Sequence, residues 1–148
     1  MISSYLMRTQ PGDTMTEAAI KAVKCANKAG VPVVLTLGTK HLIEKEPEFW
    51  RQFAKDHVNV LTMNEEEALA ITDISDPLKA ADKCLDWVDM VICTAGAEGL
   101  YMAGYVDEKF KRETEYPLLP GCVKDFNQYE YSRPMLRKDC QTPLRIYT

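Results

Sequence analysis

Residues 31–38 read Val31-Pro32-Val33-Val34-Leu35-Thr36-Leu37-Gly38, a β-branched apolar run that ends at a glycine. Such a run is typical of a strand that is buried on both faces. A second short apolar run extends from Ile2 to Met7, and the segment between the two runs carries apolar residues at helical spacing as far as Gly30. Strand, helix and strand in this order predict a βαβ unit with parallel strands and a right-handed crossover.

The same alternation continues along the next 70 residues. A helix is predicted to begin at Pro47, another at Asn64 and a third at Asp76-Pro77, because these residues favour the first turn of a helix. Further strands are predicted at residues 58–63, 88–93 and 100–105, the last two forming a hairpin. The pattern predicts an α/β fold, specifically a three-layer α/β/α arrangement around a mostly parallel sheet.

The regular pattern fades after Val106. Residues 106–143 are predicted to form a long irregular insertion, and Leu144 to Tyr147 a returning strand. We therefore expect one domain over residues 1–148, and an incomplete one, because apolar runs stand close to both ends of the chain.

Composition narrows the function class. The 148 residues carry a net charge of −4 and 46% hydrophobic residues, without a basic run or a long apolar run. These values give no reason to expect nucleic acid or a membrane as partner, and they favour a cytoplasmic protein. The five cysteines include no CxxC pair, so we expect reduced, structural thiols rather than a metal or redox site.

The stretch most suggestive of chemistry is Thr94-Ala95-Gly96-Ala97-Glu98-Gly99, which follows a predicted strand. Ligands of open α/β sheets bind outside the carboxyl ends of strands, where small residues let backbone N–H groups approach phosphate or sugar. The segment matches neither GxGxxG nor the Walker pattern. From local chemistry alone, a nucleotide-binding loop and a plain glycine turn remain equally good interpretations.

Two other positions follow strands in the same way. Asn64 and Glu67 match a helix-capping box, and they also fit a site for Mg²⁺, which keeps most of its waters and needs few carboxylates. Capping is the more common reason for this pattern. Arg8 follows the first strand and would suit a phosphate or a purine edge, although a surface arginine is more common.

Taken together, several segments resemble the ribokinase-like carbohydrate kinase family, in particular its purine nucleoside kinases. The similarity covers essentially the whole chain but only a middle portion of the family's chain. The segments that carry it are Ser3–Arg8, Val31–Lys40, Met63–Ala68, Cys93–Gly96, Pro117–Gly121, Phe126–Glu130 and Lys138–Gln141.

The resemblance implies transfer of the γ-phosphoryl group of ATP to the 5′-hydroxyl of inosine or guanosine. It also implies roles for individual residues: Thr94, Ala95, Gly96, Ala97, Glu98 and Gly99 in binding ATP, Asn64 and Glu67 in holding Mg²⁺ indirectly, and Arg8 in binding the nucleoside or its monophosphate.

The chain departs from the family in three respects, and two of them are that the family's N-terminal Gly-Gly nucleoside-binding region and its lid strands have no counterpart here. The Gly-Ala-Gly-Asp segment, which supplies the family's general base and anion hole, is absent from the 148 residues, so no catalytic residue is assigned. We expect a truncated kinase that is inactive alone and that self-associates through exposed sheet edges. The alternatives are a non-catalytic nucleotide-binding or oligomerising α/β module, and a flavodoxin-like domain, which would place a helix after Gly99.

Overall fold

The computed structural model describes residues 1–8, 14–104, 115–116 and 144–147. Within them, six strands form one sheet, in the order in which they occur along the chain. Strands β1 to β4 are parallel, β5 is antiparallel to β4, and β6 is parallel to β5. The strands are β1 (Ile2–Ser3), β2 (Val34–Thr36), β3 (Val60–Asn64), β4 (Met90–Thr94), β5 (Leu100–Gly104) and β6 (Leu144–Tyr147). The predicted α/β class with a mostly parallel sheet is confirmed, and so is the β4–β5 hairpin.

Five helices connect the parallel strands: α1 (Thr14–Lys28), α2 (Lys40–Lys45), α3 (Pro47–His57), α4 (Glu65–Thr72) and α5 (Pro77–Cys84). Three begin where the sequence predicts, because Pro47 and Pro77 occupy first-turn positions and Asn64 caps α4. Helix α2 was not predicted. None of the described helices is long and apolar enough to cross a membrane.

The prediction of a strand from Ile2 to Met7 is wrong. Only Ile2–Ser3 is extended, and Ser4–Met7 forms a 3-10 turn. The Ser3 hydroxyl accepts the Tyr5 N–H, and the Ser4 hydroxyl donates to the Leu37 carbonyl. Such local side-chain hydrogen bonds compete with strand pairing. The apolar pattern correctly indicated burial, since Met7 is fully buried, but it did not indicate whether the backbone is extended.

One face of the sheet packs on the helices. Strand register aligns Leu35 with Leu61, Leu61 with Val91, and Val91 with Ala103 across four strands. These side chains form one core cluster with buried helix residues that include Val23, Trp50, Ala68 and Cys84. Burial of this alternate set of strand residues fixes the register, because a slip of one residue would turn all of them to the opposite face.

The opposite face of the sheet carries the strand residues that alternate with these core residues. Register aligns Val34 with Val60 and Met90, and aligns Thr36 with Thr62, Ile92 and Met102. The described helices contact one another and share the core on the first face. A second helical layer is not found among residues 1–8, 14–104, 115–116 and 144–147.

The predicted irregular insertion lies outside the described residues, except for residues 115 and 116. The expectation of one incomplete domain over residues 1–148 stays a prediction.

Candidate functional site at the carboxyl edge of the sheet

The parallel arrangement of β1 to β4 brings the segments that follow these strands to one edge of the sheet. These segments are Ser4–Arg8 after β1, Gly38–Lys40 after β2, the start of α4 after β3 and residues 95–99 after β4. All the site residues predicted from the sequence therefore lie along a single edge, where α/β proteins bind ligands.

Asn64 and Glu67 form a complete capping box at the start of α4. The Glu67 N–H donates to Asn64 Oδ1 at 2.8 Å, and the Asn64 N–H donates to Glu67 Oε2 at 3.1 Å. The Asn64 amide also donates to Glu67 Oε1, at 3.3 Å. The structural role of the pair is therefore established, and it fixes the orientation of the Glu67 carboxylate.

Glu67 is a charged side chain with only 5% of its surface exposed. Burial raises the pKa of its carboxyl above the ordinary value, and the neighbouring charges of Glu66 and Glu65 raise it further. Backbone hydrogen bonds from Asn64 and Gly38 act in the opposite direction, since they stabilise the ionised form. The Gly38 backbone, in the loop after β2, therefore lies beside the Glu67 carboxylate.

The segment after β4 forms a tight turn. The Ala95 N–H donates to the Gly99 carbonyl at 2.8 Å, and Gly96–Glu98 form a 3-10 turn. Gly96 has φ of 46° and Gly99 has φ of 107°, values that favour glycine. Thr94, Gly96 and Ala97 are exposed, Ala95 is buried and Gly99 is half-buried. The side chain of Glu98 lies outside the described part of the chain.

This turn adjoins the start of α4. Asn64 pairs directly with Thr94 in the β3–β4 register. A Cβ built on Gly96 would lie 3.5 Å from Glu65 Oε1. The glycine turn and the Asn64–Glu67 pair therefore make one continuous surface, with the exposed Glu65 carboxylate between them.

Arg8 stands at the other end of the same edge. Its side chain is exposed, and β1 is three strand spacings from β4, a separation of about 14 Å. Arg8 is therefore too far from the glycine turn to contact it. The space between them is bordered by the loop that begins at Gly38.

Gly38 is a site residue that sequence reasoning did not find. It has φ of 68°, and a Cβ on it would lie 3.0 Å from two ring carbons of Tyr5. With Tyr5 on one side and Glu67 on the other, Gly38 joins the β1 loop to α4. In the sequence, its place directly after a buried strand marks the end of that strand and gives no sign of the contact with Tyr5.

The described residues contain no group of three or more His, Cys, Asp or Glu side chains that could hold a metal ion by themselves. Both oxygens of Glu67 already accept hydrogen bonds from Asn64. Each carboxylate oxygen has a further lone pair, so Glu67 can still accept a hydrogen bond from a metal-bound water. The donor set fits a water-mediated Mg²⁺ and does not fit an ion that needs several direct ligands.

A cavity of about 700 Å³ lies away from this edge. Its lining includes Lys24, Asn27, Lys55 and His57. These residues stand near the carboxyl ends of α1 and α3, at the amino edge of the sheet, where lysines compensate the negative ends of helix dipoles. Burial lowers the pKa of His57. None of the site residues predicted from the sequence lines this cavity.

The cysteines in the described residues are free thiols. Burial raises the pKa of Cys84, and it raises that of Cys93 to about 11, so neither is a reactive thiolate. Cys25 is exposed, on helix α1. Cys122 and Cys140 lie outside the described residues.

Comparison with known proteins gives a close sequence match. The chain is 59% identical over all 148 residues to the guanosine-inosine kinase of Escherichia coli K12, and equally to that of strain O157:H7. The chain spans 34% of the length of these relatives. The resemblance inferred from the sequence is confirmed. No family model matches the chain.

Solved structures share the fold. Adenosine kinase from Sinorhizobium meliloti matches with a TM-score of 0.60 at 19% identity, over 68% of this chain and 30% of that one. A PfkB protein from Polaromonas matches with a TM-score of 0.58 at 20% identity, over 69% of this chain and 35% of that one. At this identity the matches show the fold alone, which agrees with the ribokinase-like core predicted above.

Proposed function

We propose that the chain forms the ATP-binding core of a purine nucleoside kinase, which transfers the γ-phosphoryl group of ATP to the 5′-hydroxyl of inosine or guanosine. The observation that carries the proposal is the continuous surface that joins Asn64 and Glu67 to the turn after β4. The 59% identity to guanosine-inosine kinase supports the choice of substrate class.

In this proposal the turn Thr94-Ala95-Gly96-Ala97-Glu98-Gly99 binds ATP. Its glycines and small residues leave backbone groups open to a ligand, and Gly96 has no side chain to fill the space beside Glu65. Since the turn is braced by the Ala95–Gly99 hydrogen bond, little ordering is needed when the nucleotide binds.

Asn64 and Glu67 organise Mg²⁺ through its water ligands. When bound, the ion neutralises negative charge on the phosphates. The capping box holds the Glu67 carboxylate in place before any ligand arrives, and such preorganisation is what electrostatic stabilisation of phosphoryl transfer requires.

Arg8 binds the nucleoside at its own end of the sheet edge, where its guanidinium can contact a purine edge or the phosphate of the monophosphate product. The separation of about 14 Å between β1 and β4 leaves room for a nucleoside beside the triphosphate. The 148 residues do not contain the Gly-Ala-Gly-Asp segment that the resemblance associates with the general base, so in this proposal the chain positions both substrates without completing the transfer.

The second face of the sheet supports a proposal about partners. Val34 and Ile92 on this face are half-exposed apolar residues. Burial of such side chains favours association, so the isolated chain associates with itself through this face. The edge strand β1 has only two residues and offers little to pair with.

The test uses the purified 148-residue chain with inosine and Mg-ATP. We expect Mg-ATP binding in calorimetry and no turnover. Gly96→Val should abolish binding, because a branched side chain would be strained at φ of 46° and would crowd Glu65. Gly30→Val is the matched control, since Gly30 also has positive φ but has open space around it, at the opposite edge.

Each outcome has a definite meaning. Turnover at enzymic rates would show that the chain is a complete catalyst and would contradict the proposed inactivity. Failure of the wild-type chain to bind Mg-ATP would contradict the nucleotide-binding core itself. Binding without turnover that is lost in Gly96→Val and kept in Gly30→Val would also fit the alternative of a non-catalytic binding module. Measuring the binding of inosine to the same chain would separate that module from the kinase core.

A further inference from the structure

Tyr5 occupies an unusual position for a half-exposed aromatic residue. It lies in the 3-10 turn after β1, its N–H donates to the Ser3 hydroxyl at 3.3 Å, and the residue is 47% exposed. The ring lies against Gly38, where a Cβ would come within 3.0 Å of Cδ2 and Cε2. The glycine therefore provides the space that the ring fills.

Arg8 is held by the same residue in two ways. Its guanidinium carbon lies over the Tyr5 ring, 5.5 Å from the ring centroid, and its Nε donates to the Tyr5 carbonyl at 3.1 Å. Among the described residues, Arg8 has no carboxylate partner. The orientation of the Arg8 guanidinium at this edge of the sheet thus depends on Tyr5.

We propose that Tyr5 is a positioning residue, which fixes the Arg8 guanidinium so that it can receive the phosphate of a purine nucleoside monophosphate. The inference rests on the function proposed above. An exposed arginine ordinarily loses rotamer freedom when it binds a ligand, and a guanidinium already stacked on an aromatic ring loses less.

The position of Tyr5 also separates this role from the ATP side of the site. Its ring reaches Gly38, but the turn after β4 lies three strand spacings away. A change at Tyr5 should therefore weaken the monophosphate much more than Mg-ATP, whose site Tyr5 reaches only indirectly, through Gly38 and Glu67. A residue that only stabilised the fold would alter both together.

The experiment measures the binding of guanosine monophosphate and of Mg-ATP to the 148-residue chain by calorimetry. Tyr5→Leu should weaken guanosine monophosphate about threefold to tenfold, in line with the loss of one cation–π contact and the loosening of one hydrogen bond. Tyr5→Phe keeps the ring and should recover the affinity. Leu6→Ala, an exposed neighbour in the same turn, is the matched control and should bind like the wild type.

A double-mutant cycle with Arg8→Ala tests whether Tyr5 acts through Arg8. In the Arg8→Ala background, Tyr5→Leu should cause no further loss. An undiminished effect in that background, wild-type affinity in Tyr5→Leu, or a Tyr5→Leu chain that does not fold would each overturn the proposal. A wild-type chain that binds Mg-ATP but not the monophosphate would overturn this inference alone, whereas one that binds neither would overturn the proposed function as well.

Discussion

At the scale of single residues, Glu67 combines two demands that oppose each other. As a capping residue it is buried and hydrogen-bonded to the backbone of Asn64 and Gly38. In the proposed site it must also stay ionised, although burial favours its protonated form. The backbone hydrogen bonds oppose this rise in the pKa of Glu67, because they stabilise the ionised carboxylate.

The raised pKa of Glu67 leads to a prediction about pH. Protonation removes the negative charge that attracts hydrated Mg²⁺, and it begins at a higher pH than for an ordinary glutamate. Affinity for Mg-ATP should therefore fall on acidification towards this raised pKa. Glu67→Gln should bind Mg-ATP about tenfold more weakly at neutral pH, a loss typical of outer-shell groups.

ATP itself gains a proton on mild acidification, so the informative quantity is the difference between the two pH profiles. Calorimetric titrations of the wild type and of Glu67→Gln should converge as the pH falls, because the wild type becomes neutral at this position. Parallel profiles across the whole pH range would show that ionisation of Glu67 does not contribute to binding.

At the scale of secondary structure, α4 and α5 both begin with a side-chain N-cap, and the two caps lie at different places in the fold. Asn64 caps α4 by accepting the Glu67 N–H, and Asp76 caps α5 by accepting the N–H groups of Leu78 and Lys79. Only the first cap lies at the proposed binding edge. The two helices therefore allow capping to be separated from ligand binding.

Asn64→Ala and Asp76→Ala should each lower the free energy of unfolding by about 1 kcal/mol, the usual cost of losing an N-cap. Only Asn64→Ala should also weaken Mg-ATP, since Asn64 orients the Glu67 carboxylate. Urea denaturation measures the first effect and calorimetry the second. Equal losses of Mg-ATP affinity in both variants would mean that Asn64 serves only as a cap.

The sequence predicted these helix starts well because capping is local: Asn64 and Glu67 are three residues apart and interact directly. The same locality explains the error at residues 2–7, where two serines divert the chain through contacts that apolar periodicity does not report. The Gly38 contact with Tyr5 joins residues 33 positions apart, so no local pattern could reveal it. The ligand-binding roles of Arg8, of Asn64 and Glu67, and of residues 94–99 stay predictions.

At the scale of the whole molecule, strand order decides which face of the sheet is covered. Right-handed crossovers between successive strands, all advancing in one direction, put every connecting helix on the same side. Buried runs in the sequence predict strands with two covered faces, but they do not give strand order. On the face opposite the described helices, Val34 and Ile92 thus stay half-exposed, beside Val60 and Met90, which are buried.

This arrangement predicts concentration-dependent self-association, measurable by sedimentation velocity. Val34→Lys places a charge on the free face at a half-exposed position, where burial of the ammonium group in an interface would be costly. The association constant should fall at least about tenfold. Gln52→Lys, an exposed position on α3, adds the same charge on the helical side and should associate like the wild type.

The comparison of these two variants discriminates between a specific face and a general effect of the added lysine. Both change the net charge from −4 to −3, which slightly weakens repulsion between chains, so an equal fall in association would show that the position of the lysine on the face around Val34 does not matter. Circular dichroism should show that both remain folded. A wild-type chain that stays monomeric at high concentration would contradict the proposed interface.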